Sequence, residues 1–378
     1  MKILFISWSS YGVVNWINAM KCNGHNVTEM IFASLSEDED KNLQEQITKV
    51  ILDGRYDVVC SFNFFPILSI VTKKANCKYI AWVYDSPLLH LYSVEIANTN
   101  NYIFLFDKKQ YEELYHKGIR TVYHLPLAGV VDKTEEPESY CSDITFVGNL
   151  YKNNNFYDNI VFLPEKLRGY LDGVMEAQRK IYGYYLMPEL LTDNIIEDIK
   201  KYVKFDLGDQ FFVDDRIIFS SLFLAKKVAN LERESILNNL AKYFKVKLYS
   251  YEKIENQNIE NCGTIDYGHE MYKLFRHSKI NINSTLRCIQ TGINLRTMDI
   301  LSAGGFCLTN YQEELSDHFQ IGEDLVVYES ELDLLEKAAY FLKNEDHRRE
   351  IAKNGQKRIE ECLTFDKQVK QMMQIVMQ

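Results

Sequence analysis

The stretch MYKLFRHSKININSTLRCIQTGINLRTMDILSAGGFCLTN, residues 271–310, alternates between helical and extended segments, and the rest of the chain is best read outward from it. A helix over 270–277 leads into an apolar strand over 279–282. A loop follows, then a helix ending near Ser302, the small-residue turn Ser302-Ala303-Gly304-Gly305 and a second strand over 305–309. A strand, a helix and another strand of this length make a parallel βαβ unit. The stretch also has an unusual charge. Residues 271–298 contain no Asp or Glu, although 53 of the chain's 378 residues are acidic and its net charge is −10. They do contain Lys273, Arg276, Lys279, Arg287 and Arg296. A positive window in an acidic chain points to an anionic ligand.

Placed on a helix, these residues acquire roles. Asn294 stands where a side chain caps the helix start. The free N–H groups of that first turn and its partial positive charge favour phosphate. Arg296 can add a bidentate contact to phosphate oxygens. Asp299 lies three residues on, on the same face, where its carboxylate can accept ribose hydroxyl protons. A surface Arg–Asp pair is the plainer alternative. Thr285 and Arg287 follow the strand and fall at its C-terminal end, so Arg287 is a second phosphate candidate, or part of a solvated loop. With Gly304 in the turn, the segment fits a nucleotide-diphosphate site.

The same alternation extends to both sides. Strands over 2–7, 27–32, 56–61, 79–84, 102–106 and 121–125, with helices between them, predict a parallel sheet covered on both faces. This first doubly wound domain spans 1–135. A second, over 136–362, opens with the strand 142–147 and Gly148-Asn149. Its rhythm is broken by a mostly helical insertion over about 157–230. It resumes with a helix over 233–244, a strand over 246–249 and an extended piece over 262–265. The amphipathic tail 363–378 is expected to pack back on the first domain. Two such domains would face a common cleft, with ligands outside the strand ends.

Other candidates sit at strand ends. Gly148 and Asn149 let backbone approach a phosphate or sugar, or simply form a turn. Asp85, in Asp85-Ser86-Pro87, is placed to act as a base for an acceptor hydroxyl, or to cap a turn that Pro87 forces. His90 is near enough to share that role. Tyr11 and Gly12, in the first loop, are candidates for contact with a sugar or acceptor.

The composition narrows the possibilities. The acidic balance argues against nucleic acid. Eight cysteines without C-x-x-C or zinc spacing read as reduced core residues of a cytoplasmic protein. The N-terminal apolar run is too short for a signal peptide, and no run reaches the ~18 residues of a membrane span. G-x-G-x-x-G, the Walker loop and G-x-S-x-G are absent. No D-x-D stands at a strand end, so no metal or other cofactor is expected.

Several of these segments resemble the CgeB-like glycosyltransferases. Asn294-Leu295-Arg296-Thr297-Met298-Asp299-Ile300-Leu301-Ser302-Ala303-Gly304 fits N-x-R-x-x-[DE]-x-x-[AS]-x-G. Glu313-Glu314-Leu315, the pattern over 331–358, SDITFVGNLY (142–151), WVYDSP (82–87) and YHLPLAG (123–129) are also similar. The resemblance implies a GT-B fold of two Rossmann-like domains, with donor in the second, acceptor in the first and no obligatory metal. Related transferases carry Glu-x7-Glu, whose second Glu holds the donor ribose. Asp299 takes that position, while Thr291 stands at the first. The loop Thr264-Ile265-Asp266-Tyr267 would hold the base, through Ile265 and Tyr267. The expected activity is transfer of a hexose or N-acetylhexosamine from a nucleotide diphosphate sugar, a UDP-sugar first, to an acceptor hydroxyl. The acceptor is open among glycan, protein and small molecule, and an oligomer is left open too. An epimerase of the same fold and a non-catalytic sugar-nucleotide-binding or assembly protein are the alternatives.

Overall fold

The computed structural model describes residues 1–7, 12–32, 41–134, 137–160, 162–205, 208 and 210–378. The chain divides into two compact units. One is Met1–Ala128, Leu207–Val213 and Leu363–Gln378; the other is Gly129–Asp206 and Asp214–Cys362.

The first unit is built on β1 (Lys2–Ser7), β2 (Asn26–Ile31), β3 (Val58–Phe62), β4 (Lys78–Trp82), β5 (Asn101–Leu105) and β6 (Val122–His124). They lie in the order β2-β1-β3-β4-β5-β6, with every pairing parallel. Strands buried on both faces should be apolar throughout. Ile3, Leu4, Phe5 and Ile6 of β1 and Val58, Val59 and Cys60 of β3 are all fully buried. Helix Phe365–Val376 completes this unit and turns Phe365, Val369, Met372, Met373 and Val376 inward.

The second unit contains β7 (Ser142–Val147), β8 (Val246–Tyr249), β9 (Ile259–Gly263), β10 (Ser278–Asn283), β11 (Cys307–Asn310) and β12 (Val326–Tyr328). Their order is β12-β11-β10-β7-β8-β9, again all parallel. Counted from β7, this is the 3-2-1-4-5-6 arrangement of dinucleotide-binding sheets. Each unit is thus a doubly wound Rossmann-like α/β domain.

Between β7 and β8 run helices Glu165–Lys180, Met187–Leu190 and Asp193–Lys200, then a π-helical turn, Ile218–Leu224, continuing into helix Ala225–Ala241. This last helix starts earlier than the 233–244 read from sequence, because Ala225, Val228 and Ala229 already face the core. The insertion is also not all in the second unit. Residues 210–213 belong to the first, where Val94 N–H donates to Gln210 O (2.9 Å), Phe212 N–H donates to Tyr92 O (2.9 Å), and the Tyr92 and Phe212 rings meet at 6.0 Å. The extended piece expected over 262–265 is β9 at 259–263, drawn earlier by Ile259, which packs into the core. No helix among the described residues is long and apolar enough to cross a membrane.

Candidate functional site

In the second unit the strand order reverses at β7, between β10 and β8, and the crevice beyond the strand ends there is where such sheets bind ligands. Two loops border it. Gly148 and Asn149 leave β7; Gly148 N–H donates to Tyr249 O (3.0 Å), and Asn149 Oδ1 accepts from Tyr151 N–H (2.6 Å). Ser284 and Thr285 leave β10; Thr285 N–H donates to Asn310 Oδ1 at the end of β11 (2.7 Å).

One side chain joins these loops. Arg233, 7% exposed on helix Ala225–Ala241, donates from Nη1 to Asn149 O (2.5 Å) and from Nη2 to Ser284 O (2.6 Å). Its guanidinium also lies 5.0 Å from the Tyr151 ring. Sequence reading missed Arg233 because it sits in the middle of a helix. The signal that could have found it is a lone cation on that helix's buried face.

The helix after β10, Leu295–Ser302, starts at this edge. Asn294 caps it as expected, with Oδ1 accepting from Thr297 N–H (3.2 Å). Asn283 Nδ2 donates into the same knot, to Asn294 Oδ1, Thr297 Oγ1 and Thr309 Oγ1 at 2.9–3.2 Å. Buried amides and hydroxyls satisfied this fully fix the first turn of the helix in place.

Asp299, one turn in, is enclosed. It is 2% exposed and its Oδ1 accepts from Tyr267 Oη (2.7 Å) and Tyr272 Oη (3.1 Å). Arg296 Nη1 reaches Oδ2 at 3.2 Å. Burial pushes the carboxyl up to about 6, against the pull of Arg296 and the two tyrosines. Burial and the neighbouring carboxylate hold both phenols well above the ordinary tyrosine range. The structure therefore brings Tyr267, from 32 residues earlier in the chain, to the Arg296–Asp299 pair on one helix, and adds Tyr272. Asp299 is not the open carboxylate that the sequence suggested. A ribose reaching it has to take the place of a tyrosine hydroxyl.

Arg287 also departs from expectation. Only 5% exposed, it forms a two-pronged ion pair with Glu232, Nε to Oε2 at 3.1 Å and Nη2 to Oε1 at 2.8 Å, and stacks 3.9 Å from the Tyr182 ring centre. Its fork is occupied, so it braces the loop after β10 from behind. Burial pushes the Glu232 carboxyl up and Arg287 pulls it back. Gly304 lies at the opposite edge of the sheet. A turn from a helix into a parallel strand falls at the strand's N-terminal end, away from the ligand crevice. Its φ of +72° closes the helix, and a Cβ on neighbouring Gly305 would stand 2.8 Å from Phe275 O, so these glycines serve the turn and its packing. Ile265 is half-buried in the loop before Tyr267. Thr291 Oγ1 donates to the buried carboxylate Oε1 of Glu314 (2.7 Å), which places an acid beside Thr291 that the sequence position lacks.

In the first unit the strand order reverses at β1, between β2 and β3. Gly12, with φ +83°, opens helix Val13–Cys22 at this edge, and a Cβ there would meet the Phe365 ring at 3.2 Å. Tyr11 lies outside the described residues. Asp85 is exposed, and Asn63, in a left-handed conformation at φ +59°, holds it by donating from Nδ2 to Asp85 Oδ2 (2.6 Å). Asn63 Oδ1 accepts from the backbone N–H groups of Tyr84 and Asp85 (2.9 and 3.1 Å). The His90 ring lies tilted against Phe65 with centres 5.8 Å apart, and its enclosed Nδ1 has no hydrogen-bond partner among the described residues.

Comparison with known proteins agrees with this arrangement. A family model described as glycosyl transferase-like matches residues 232–374, a span that includes Arg233, Tyr267, Arg287, Arg296 and Asp299. No curated protein sequence matches the chain. Sucrose-phosphate synthase from Thermosynechococcus elongatus is a similar solved structure, at TM-score 0.56 and 8% identity over 99% of this chain and 98% of that one. Anabaena HepE in complex with UDP and glucose is similar at TM-score 0.54 and 9% identity, over 100% of this chain and 99% of that one. A glycosyltransferase from Rickettsia africae gives TM-score 0.52 and 11% identity, over 99% and 97%. The chain has the GT-B fold, and residues 232–374 are similar to the glycosyl transferase-like family.

Proposed function

We propose that this chain is a glycosyltransferase that moves a sugar from a nucleoside diphosphate donor to an acceptor hydroxyl without a metal. The observation that carries the reading is Arg296. It stands in the first turn of a well-capped helix beginning at the ligand edge, inside the region similar to glycosyl transferases, and among the described residues its one ion pair is with Asp299. The helix N-terminus and Arg296 together offer positive charge to a leaving diphosphate, whose charge grows in the transition state. Uridine is the favoured base, because the Anabaena structure of this fold was solved with UDP. Ribose hydroxyls take over the Tyr267 contact on Asp299. Gly148, Asn149 and Thr285 present backbone and hydroxyl groups to the donor.

On the acceptor side Asp85 is the base. Asn63 fixes its carboxylate while leaving it exposed. A hexose or N-acetylhexosamine, and a cytoplasmic setting, complete the proposal.

Calorimetric titration with UDP tests it. Arg296→Ala should weaken binding about tenfold or more, as loss of a charge-assisted bond of ~1.5–3 kcal/mol requires. Asp85→Asn should keep UDP affinity and abolish sugar transfer, and EDTA should leave transfer unchanged. Equal UDP affinity in Arg296→Ala and wild type places the donor elsewhere.

A further inference from the structure

The second unit has a cationic cavity at the edge of its sheet opposite the candidate site. It is about 100 Å³ in volume and opens beside Ser278, at the start of β10, and Phe306, just before β11. Arg276, Lys279, Arg348, Arg349 and Lys353 line it, and no Asp or Glu among the described residues does. In a chain of net charge −10, five cations around one small cavity are unexpected.

Two of the five are deeply buried. Arg276 is 6% exposed, with Nε donating to Ala303 O (2.8 Å) and Nη2 to Asp132 O (2.6 Å). Arg348 is 1% exposed and donates from Nη1 to Phe341 O (2.6 Å). Its Nη2 is buried with no hydrogen-bond partner among the described residues, and Glu345 Oε2 stands 3.8 Å away. A buried guanidinium with an unfilled N–H is costly unless something supplies an acceptor. The Tyr140 ring lies 5.1 Å from both Arg348 and Arg349 and closes one side.

Nearby acids offset part of this charge. Asp143 pairs with Lys279 at 2.7 Å, Glu345 with Arg349 at 2.9 Å, and Asp132 stands 3.8 Å from Arg276. Glu345 also stands 3.8 Å from Arg348, whereas Lys353 has no carboxylate partner among the described residues. A cavity of about 100 Å³ has room for one tetrahedral oxyanion.

We infer that this cavity binds a single phosphate group, carried by a phosphorylated small molecule or by an anionic lipid headgroup. The acceptors are the phosphate oxygens, and the donors are Arg348 Nη2 and Lys353, with Arg349 adding positive charge at the wall. The site is separate from the proposed donor site. It shares with it two helices, His269–Arg276 and Leu295–Ser302, whose last residues lead to Arg276 and Gly304 and whose earlier turns carry Tyr272 and Asp299.

Calorimetry with inorganic phosphate at low ionic strength, up to about 10 mM, tests the site in the millimolar range of affinity. Flotation with phosphatidic-acid vesicles tests the lipid source. Lys353→Glu, an exposed position, should weaken binding at least tenfold, while Lys200→Glu, on the helical insertion, should leave it unchanged. Arg348→Met should abolish binding, with circular dichroism confirming the fold. Phosphate binding lost in Lys353→Glu supports a soluble ligand. Vesicle binding lost in Lys353→Glu, without phosphate binding, supports a lipid headgroup. No binding in either assay, or binding equal in Lys353→Glu and wild type, overturns the inference. UDP affinity is a separate readout, so failure here leaves the donor reading standing, and the reverse.

Discussion

At the scale of single residues, Asp299 is the group with most at stake. An aspartate in an unfolded chain titrates near 3.8, and burial raises Asp299 to about 6. Between these values the folded protein holds a proton that the unfolded chain has lost. The resulting stabilisation is complete below about pH 3.8 and disappears as pH rises through 6. Above that the ionised, buried carboxylate costs about 3 kcal/mol relative to its unfolded value. Asp299→Asn cannot titrate. In urea unfolding at pH 4.5 and 7.5, the wild type should therefore lose about 1–3 kcal/mol relative to Asp299→Asn as pH rises. Parallel pH profiles for the two proteins would show that Asp299 titrates normally. Of this cluster, the sequence displayed Arg296 and Asp299 on one helical face. It could not display their enclosure, because Tyr267 and Tyr272 approach from another loop and another helix.

At the scale of elements, helix Ala225–Ala241 anchors the ligand edge. Two successive residues do different work. Glu232 holds Arg287 behind the loop after β10, and Arg233 ties the β7 and β10 loops through their carbonyls. Glu232→Gln leaves a buried guanidinium without its counter-charge and should cost about 3–5 kcal/mol in chemical denaturation. Arg233→Lys keeps the charge, but an ammonium cannot reproduce the fork that spans two carbonyls. It should lower UDP affinity about tenfold in calorimetry while costing only about 1–3 kcal/mol of stability. If Arg233→Lys binds UDP normally, the two loops do not need this bridge. The inner strands β7, β10 and β11 were legible from sequence, since burial on both faces leaves a local mark, whereas the edge strand β9, mostly exposed, was not placed correctly. The bridge was not, because Arg233 and Ser284 are 51 residues apart.

At the scale of the whole molecule, the chain leaves its first unit and returns to it twice, at Leu207–Val213 and at Leu363–Gln378. The return at the end matters for stability. Helix Phe365–Val376 packs five buried apolar side chains into the first unit, each worth about 1.5–3 kcal/mol when fully buried. Ending the chain at Cys362 should therefore lower the melting temperature of the first unit by about 15 °C or more and expose a dye-binding apolar surface around Val13 and Trp82. Unchanged calorimetric melting would mean the helix is dispensable.

Alternating apolar strands and amphipathic helices determined two doubly wound domains from sequence alone, because that pattern is set by near neighbours. The capping of Leu295–Ser302 by Asn294 was fixed in the same way. Tertiary structure decided what the charges of residues 271–298 do. Their window lacks acids in sequence, yet Asp143 comes to Lys279 from 136 residues away and Glu232 to Arg287 from 55. It also decided which sheet edge each residue occupies, sending Gly304 to one end and Thr285 to the other. Charge acts through space, so its meaning waits on contacts that only the folded chain makes.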